Sequence, residues 1–134
     1  MAAADRRRAF EAGLTAYAND DFFEAHELLE PAWMGTRDLA ERELIQGLIK
    51  LAAAFVHRAR GNPKGVEKNL RGARARIALG MAAGPELGVQ VPELLASIDA
   101  SLAAPGSAED PRAPQDGAAP PVPIAIPRSA RRNS

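Results

Sequence analysis

The 134-residue chain contains no cysteine. A disulfide scaffold, a thiolate zinc site, an iron–sulfur cluster and a cysteine nucleophile are thereby excluded, and the composition fits a reducing cytoplasm. Aromatic side chains amount to 4%, and none follows Phe55, so the stacking platforms used by readers of single-stranded nucleic acid are missing from the C-terminal half. Charge of either sign is not in excess. The 17 basic and 17 acidic side chains cancel to +0, which removes the global electrostatic footprint of a dedicated nucleic-acid binder. Long apolar runs are also missing: the longest, Leu44 to Val56, is interrupted by Gln46 and Lys50 and is too short and too polar to span a membrane. Asp5 and Arg6 to Arg8 stand where a signal peptide would need its apolar segment, so no export signal is read and the expected location is the cytoplasm. Serine is absent before Ser97, and neither G-x-S-x-G nor G-x-x-x-x-G-K occurs, which deprives hydrolase and nucleotide-triphosphatase readings of their usual support. No segment alternates with period two, so no sheet is expected.

Proline, by contrast, is concentrated. Seven of the 11 prolines lie in the last 31 residues, among Gly, Ala and Ser and with no helical apolar period. Residues 104–134 are therefore expected to be a disordered tail, and residues 1–103 the folded domain. Within the tail the Pro-x-x-Pro spacing of Pro120 to Pro123 suits a polyproline II segment docking on an aromatic groove, and Arg128, Arg131 and Arg132 suit an anionic surface. A merely solvated tail is the alternative.

The domain reads as helices. Phe10, Leu14 and Tyr17 fall at i, i+4 and i+7, which predicts a first helix from about Asp5 to Asn19. A second opens at Asp20 or Asp21, either of which can cap it, and carries Phe22, Phe23, Leu29 and Trp33. Pro31 is expected to kink it or end its regular part. Asp38 followed by Glu41 resembles a capping box and opens a third helix reaching about Arg60. Its apolar residues, Leu44, Ile45, Leu48, Ile49, Leu51, Ala52, Phe55 and Val56, cover more than half of its circumference, so it should be the central and most buried element. Gly61, Asn62 and Pro63 supply a stop, a cap and a first-turn proline for a fourth helix striped by Val66, Leu70, Ala73 and Ile77. Gly80, Gly84 and Pro85 end that helix, and a short fifth begins at Pro92. Connections of about two to six residues favour antiparallel neighbours. The expected fold is all-α: a compact antiparallel bundle of four to five helices. No 34-residue self-match supports a tetratricopeptide array.

One polar constellation stands out. On a helical wheel His26, Glu27 and Glu30 share an arc bordering the apolar one. If the second and third helices form a hairpin turning near Thr36, positions summing to about 72 lie level, placing Glu30 opposite Arg42 and His26 opposite Gln46. The candidate groove is therefore His26, Glu27, Glu30, Trp33, Arg42 and Gln46. Lys50 and His57 are secondary candidates. His57 lies eleven residues beyond Gln46, roughly 16 Å along the helix at about 1.5 Å per residue, too far to share one metal site with it. Three readings compete. The cluster could be a structural hydrogen-bonded network, in which case His26→Ala would strand a buried partner at about 1–3 kcal/mol. It could be a ligand or catalytic pocket in which His26 and a carboxylate move a proton. It could also be a metal site on His26 and Glu30 with a third ligand from elsewhere. The order His26-Glu27-x-x-Glu30 departs from the zinc-protease H-E-x-x-H where its second histidine is needed.

Charge is uneven along the chain. From Asp5 to Glu43 there are ten acidic and five basic residues, and from Lys50 to Arg76 one acidic and eight basic, so the two stretches carry about −5 and +7. The fourth helix presents Lys64, Lys68, Arg71 and Arg74, a basic face that either binds phosphate-bearing partners or complements the acidic stretch within the bundle or across a homo-oligomer.

Taken together, Phe23 to Glu30 with Trp33, Glu43 and Gln46 to Ala54 with His57, and Gly61-Asn62-Pro63 with Gly65 resemble the bacterial and archaeal family called domain of unknown function 309. The resemblance covers about residues 6–80 and implies a small all-α bundle. It implies no reaction, substrate or cofactor. The family's hallmark positions fall on His26, Glu27, Glu30, Trp33, Gln46 and Gly47, whereas Pro31 and the proline-rich tail are not part of its pattern. The expected function is that of a binding or interaction module rather than an enzyme. The alternatives are a small enzyme or metal-dependent protein using His26, Glu27 and Glu30, and an anion or nucleic-acid binder using the fourth helix.

Overall fold

A computed structural model describes residues 2–103 and 122–124. The described residues are helical with no strand, in the order α1 (Ala3–Ala18), α2 (Phe22–Gly35), α3 (Leu39–Ala59), α4 (Pro63–Leu79), α5 (Gly84–Leu87) and α6 (Val91–Ala103), with a 3-10 turn over Met81–Ala83. The closest pairings are α3 with α4 and α1 with α2; α2 also packs on α3, and α6 on α4. The molecule is thus two helical hairpins joined along α2 and α3.

Several boundaries follow from local chemistry that the sequence displays. Asp38 accepts a hydrogen bond from the Glu41 N–H at 2.9 Å and starts α3. Asn62 accepts from the Gly65 N–H at 3.2 Å and Pro63 occupies the first position of α4, with Gly61 at φ +71° turning the chain between them. Two features differ from expectation. Pro31 neither ends nor interrupts α2, which continues to Gly35. The carbonyl that loses its usual donor there is that of Glu27, and Glu27 and Pro31 are both exposed, so water can stand in for the missing N–H. The Gly80 to Pro85 stretch is not a plain stop, because Pro85 sits in the first turn of the four-residue α5, which Gly88 closes at φ +76°.

The centre of the core is α3, with Leu44, Ile45, Leu48, Ile49, Leu51, Ala52, Ala54 and Phe55 buried. Its apolar circumference is covered within one chain chiefly by α2 and α4, with the 3-10 turn and α5 also against it, and Leu14, Leu29, Ile77, Leu94 and Ile98 belong to the same continuous core. The α3–α4 crossing is close because of Gly47. A Cβ there would lie 2.9 Å from the Ile77 backbone nitrogen and 3.1 Å from the Ala73 carbonyl oxygen. Gly80 meets the start of α3 in the same way, against Leu44 N and Ala40 O.

At the far end of α1, Tyr17, Phe22 and Phe55 form an aromatic trio, with ring centroids 5.1 Å apart for Tyr17–Phe22 and 5.4 Å for Phe22–Phe55. The Tyr17 O–H donates to the Val122 carbonyl. Val122 is buried and Ile124 half-buried against the core. The remainder of the 104–134 segment, and with it most of the tail read from composition, lies outside the described residues.

Two outcomes test this packing. Gly47→Ala should lower the unfolding free energy by about 2 kcal/mol, measured by denaturant titration, because backbone rather than a flexible side chain meets the new methyl. Burial, reinforced by the Asp20 charge, pushes the Tyr17 phenol well above its ordinary value. Folding therefore favours the neutral phenol. Its contribution is complete below the unfolded pKa of about 10 and is lost as the pH rises beyond that. Tyr17 is the sole tyrosine, so its phenolate absorbance should appear only together with loss of helical signal, not before it.

Candidate functional site

The sequence-derived groove residues are carried by α2 and the first half of α3, but they do not form one cluster. Arg42 leaves Glu30 unpaired and turns to the end of α2. Its guanidinium lies 4.6 Å from the centroid of the Trp33 ring and donates to the carbonyls of Trp33 (3.3 Å) and Thr36 (3.1 Å). The Trp33 carbonyl also accepts from the Thr36 N–H at 3.3 Å, so Arg42 is a second donor to it and a cap for the Thr36 carbonyl just beyond α2, and it gains the ring contact as well. No hydrogen bond joins His26 to Gln46, or Glu30 to Arg42, among the described residues. His26 is half-exposed, its side chain 33% accessible, with Nδ1 3.8 Å from a Glu27 oxygen. Gln46 is half-buried.

On α2 the exposed arc is now defined. Phe23, Glu27, Glu30 and Met34 fall at i, i+4, i+7 and i+11 and share one side of the helix, and all four are exposed. Phe23, placed among the apolar residues of its helix by sequence alone, is 59% accessible, and Met34 is 70%. The buried side is formed by Ala25, Leu29 and Ala32. His26 and Trp33 sit on the border between the two, toward α3. The result is a ridge of two large apolar side chains bracketing two carboxylates, flanked by the Trp33–Arg42 stack.

The secondary candidates belong to the other hairpin. Lys50 lies along α4, its Cδ 3.1 Å from where a Gly72 Cβ would be. The His57 ring covers Gly65 at the start of α4, and the Asn62 side-chain N–H donates to His57 Nδ1 at 3.1 Å. That bond requires the ring proton on Nε2, since the Asn62 oxygen is already occupied by the Gly65 N–H. Gly65 thus makes room for the imidazole, which explains the Gly61-Asn62-Pro63-x-Gly65 wording as a joint between α3 and α4. Among the described residues no three His, Asp or Glu side chains converge as a metal site would need.

The basic face of α4 is largely answered from within the fold. Arg74 pairs with Asp99 of α6, Arg71 with Glu67, and Arg76 with Glu43 of α3. Lys64 and Lys68 are exposed. The paired guanidinium holds the Asp99 carboxyl below its ordinary range of about 4, and the carboxylate in turn raises Arg74.

Sequence reading missed a second polar junction. Glu41, read as part of the capping box, turns its carboxylate away from Asp38 to accept from Thr36 Oγ1 at 2.9 Å and from Arg6 Nη1 at 3.3 Å. Thr36 is the buried polar side chain of the described core, and the three residues tie the start of α1 to the α2–α3 turn. Beside them a cleft of about 240 Å³ is lined by Arg6, Arg7, Phe10, Glu41, Ile45 and Leu87. The only signal in the sequence was the Arg6 to Arg8 run, which composition alone could not connect to residues 35 positions away.

With the geometry in place, comparison with known proteins gives one match. Residues 10–69 fit the family model of the Domain of unknown function (DUF309). The chain resembles DUF309 over that stretch, from Phe10 in α1 to Asn69 in α4, a narrower span than residues 6–80. No curated protein and no solved structure matches the chain. The matched region contains α2, α3, parts of α1 and α4, the α2 ridge, the Trp33–Arg42 stack and Gly47, and it leaves out Arg71, Arg74, the Ala73 and Ile77 that face Gly47, α6 and the C-terminal segment.

Two expectations separate the halves of the sequence-derived cluster. Arg42→Ala should cost about 1–3 kcal/mol and shift the fluorescence of Trp33, the sole tryptophan, because it strands the Thr36 carbonyl, takes one donor from the Trp33 carbonyl and removes the ring contact. His26→Ala should stay within about 0.5 kcal/mol of the parent in the same denaturation experiment, since it strands no buried partner.

Proposed function

We propose that the chain is a cytoplasmic binding module rather than an enzyme, and that it presents the α2 ridge, with the groove toward α3, to a basic amphipathic helix of a partner protein. The observation carrying this reading is the joint exposure of Phe23 and Met34 on the arc that holds Glu27 and Glu30. Large apolar side chains exposed along one helical face and interleaved with like charges match a helix bearing apolar residues and cations at the same spacing. The Trp33–Arg42 stack supports it, because it pins the end of α2 beyond Pro31 on α3. Cysteine-free composition and the lack, among the described residues, of a helix long and apolar enough to cross a membrane agree with the location. A catalytic or metal-dependent reading of His26, Glu27 and Glu30 has less support, as Glu27 and Glu30 are exposed and, among the described residues, no further ligand converges with them and His26.

A model amphipathic peptide of Lys and Leu at i, i+4 spacing provides the test, read by fluorescence anisotropy against the full chain. Binding is expected in the micromolar range, weakening as salt rises. It should fall at least ten-fold in the Glu27→Lys/Glu30→Lys double variant, whose melting should be unchanged. An acidic peptide of equal apolar content should not bind. Equal affinity for parent and double variant would sink the reading.

A further inference from the structure

The Pro-x-x-Pro spacing in the C-terminal segment suggests an aromatic groove as its partner, and the fold supplies one in the same chain. Val122 is 2% accessible, Pro123 exposed and Ile124 half-buried against the core, the in–out–in alternation of an extended peptide lying on a surface. The residues around it are deficient in donors: Pro120, Pro121, Pro123 and Pro127 carry no N–H. Such a peptide cannot join a sheet edge or a helix. It offers carbonyls and apolar side chains, and a receptor for it needs aromatic walls with a side-chain donor. The junction of α1, α2 and α3 provides both. Tyr17 stands edge-on to Phe22 and to Phe55, at 5.1 and 6.5 Å, and its O–H donates to the Val122 carbonyl, a main-chain contact that reads no particular side chain.

We propose that this aromatic site is a receptor for extended peptides of the form apolar–Pro–apolar, and that Val122-Pro123-Ile124 occupies it in cis as a displaceable resident ligand, tethered through residues 104–121. A partner segment of the same chemistry would displace it and release the C-terminal residues. The site lies at the opposite end of α2 from the Trp33–Arg42 stack, and the inference is independent of the proposed role of the α2 ridge.

Binding of a labelled peptide spanning residues 119–126 to the full chain tests it. A tethered ligand competes at an effective concentration of order millimolar, so the parent chain should bind the peptide weakly. Val122→Asp, which ejects the resident segment, should bind it at least ten-fold more tightly, and the milder Val122→Ala should fall between. Tyr17→Phe placed in the Val122→Asp chain should weaken the peptide about five-fold, and a peptide carrying Asp at the Val122 position should not bind. The Val122→Asp chain should also show Tyr17 phenolate at lower pH than the parent while remaining helical. If Val122→Asp and Val122→Ala bind no better than the parent, the segment is a permanent part of the core and the proposal falls. It falls equally if the parent sediments as a dimer that Val122→Asp dissociates, since the segment would then belong to a second copy. Should Val122→Asp not fold, the Val122→Ala comparison alone decides, with unchanged affinity counting against the proposal.

Discussion

The physical constraint on which the structure depends is the need to cover α3 on most of its circumference. A helix with Leu44, Ile45, Leu48, Leu51, Ala52 and Phe55 spread over more than half a turn has no solvent-facing side to spare, so one neighbour cannot satisfy it. Its hairpin partner α4 and the neighbouring α2 together do so, and α4 approaches closely where α3 has no side chain, at Gly47 against Ile77. The polar residues of α3 are consequently pushed to its ends and edges. Arg42 caps α2, Glu43 reaches Arg76, Lys50 lies over Gly72, and His57 closes the turn into α4. None of them is left to build a buried polar centre between α2 and α3.

That outcome separates what a sequence displays from what it conceals. Helix starts at Asp38 and Asn62 depend on residues three apart and were legible, as were the core stripe of α3 and the all-α class. The wheel set His26, Glu27 and Glu30 on one arc, whereas in the fold Glu27 and Glu30 are exposed and His26 lies at the border of their arc. It could not give that arc its absolute orientation, because Phe23 beside Phe22 makes two rotations of α2 almost equally apolar. The rotation is decided by Ala25, Leu29 and Ala32, whose small or fully buried side chains permit close packing. Level pairing across the hairpin also failed for Glu30 and Arg42. Nearby main-chain carbonyls and an indole face outcompete a solvated carboxylate, since an exposed ion pair gains little over water. Of the two effects expected of Pro31, a kink or an end to the helix, the end does not occur, since a missing N–H matters less where water can take its place.

Electrostatically, the uneven distribution of charge along the sequence becomes a set of cross-links between elements distant in the chain. Arg6 with Glu41, Arg76 with Glu43 and Arg74 with Asp99 join α1 to α3, α4 to α3 and α4 to α6. Each pair is partly or wholly exposed, and each contributes more to register than to stability. The acidic stretch is not neutralised uniformly, however. Glu41 and Glu43 are used inside the fold, whereas Glu27 and Glu30 are not, which is why the excess negative charge collects on α2.

Pro31 gives that same surface a property no side-chain inventory records. By removing one donor from the helical ladder, it leaves the Glu27 carbonyl without its usual helical partner on a face where Glu27, Glu30 and Pro31 are all exposed. A main-chain oxygen is fixed by the backbone and carries no rotamer entropy, unlike the side-chain carboxylates of the same face. The proline therefore leaves on this face an acceptor whose position the backbone alone sets.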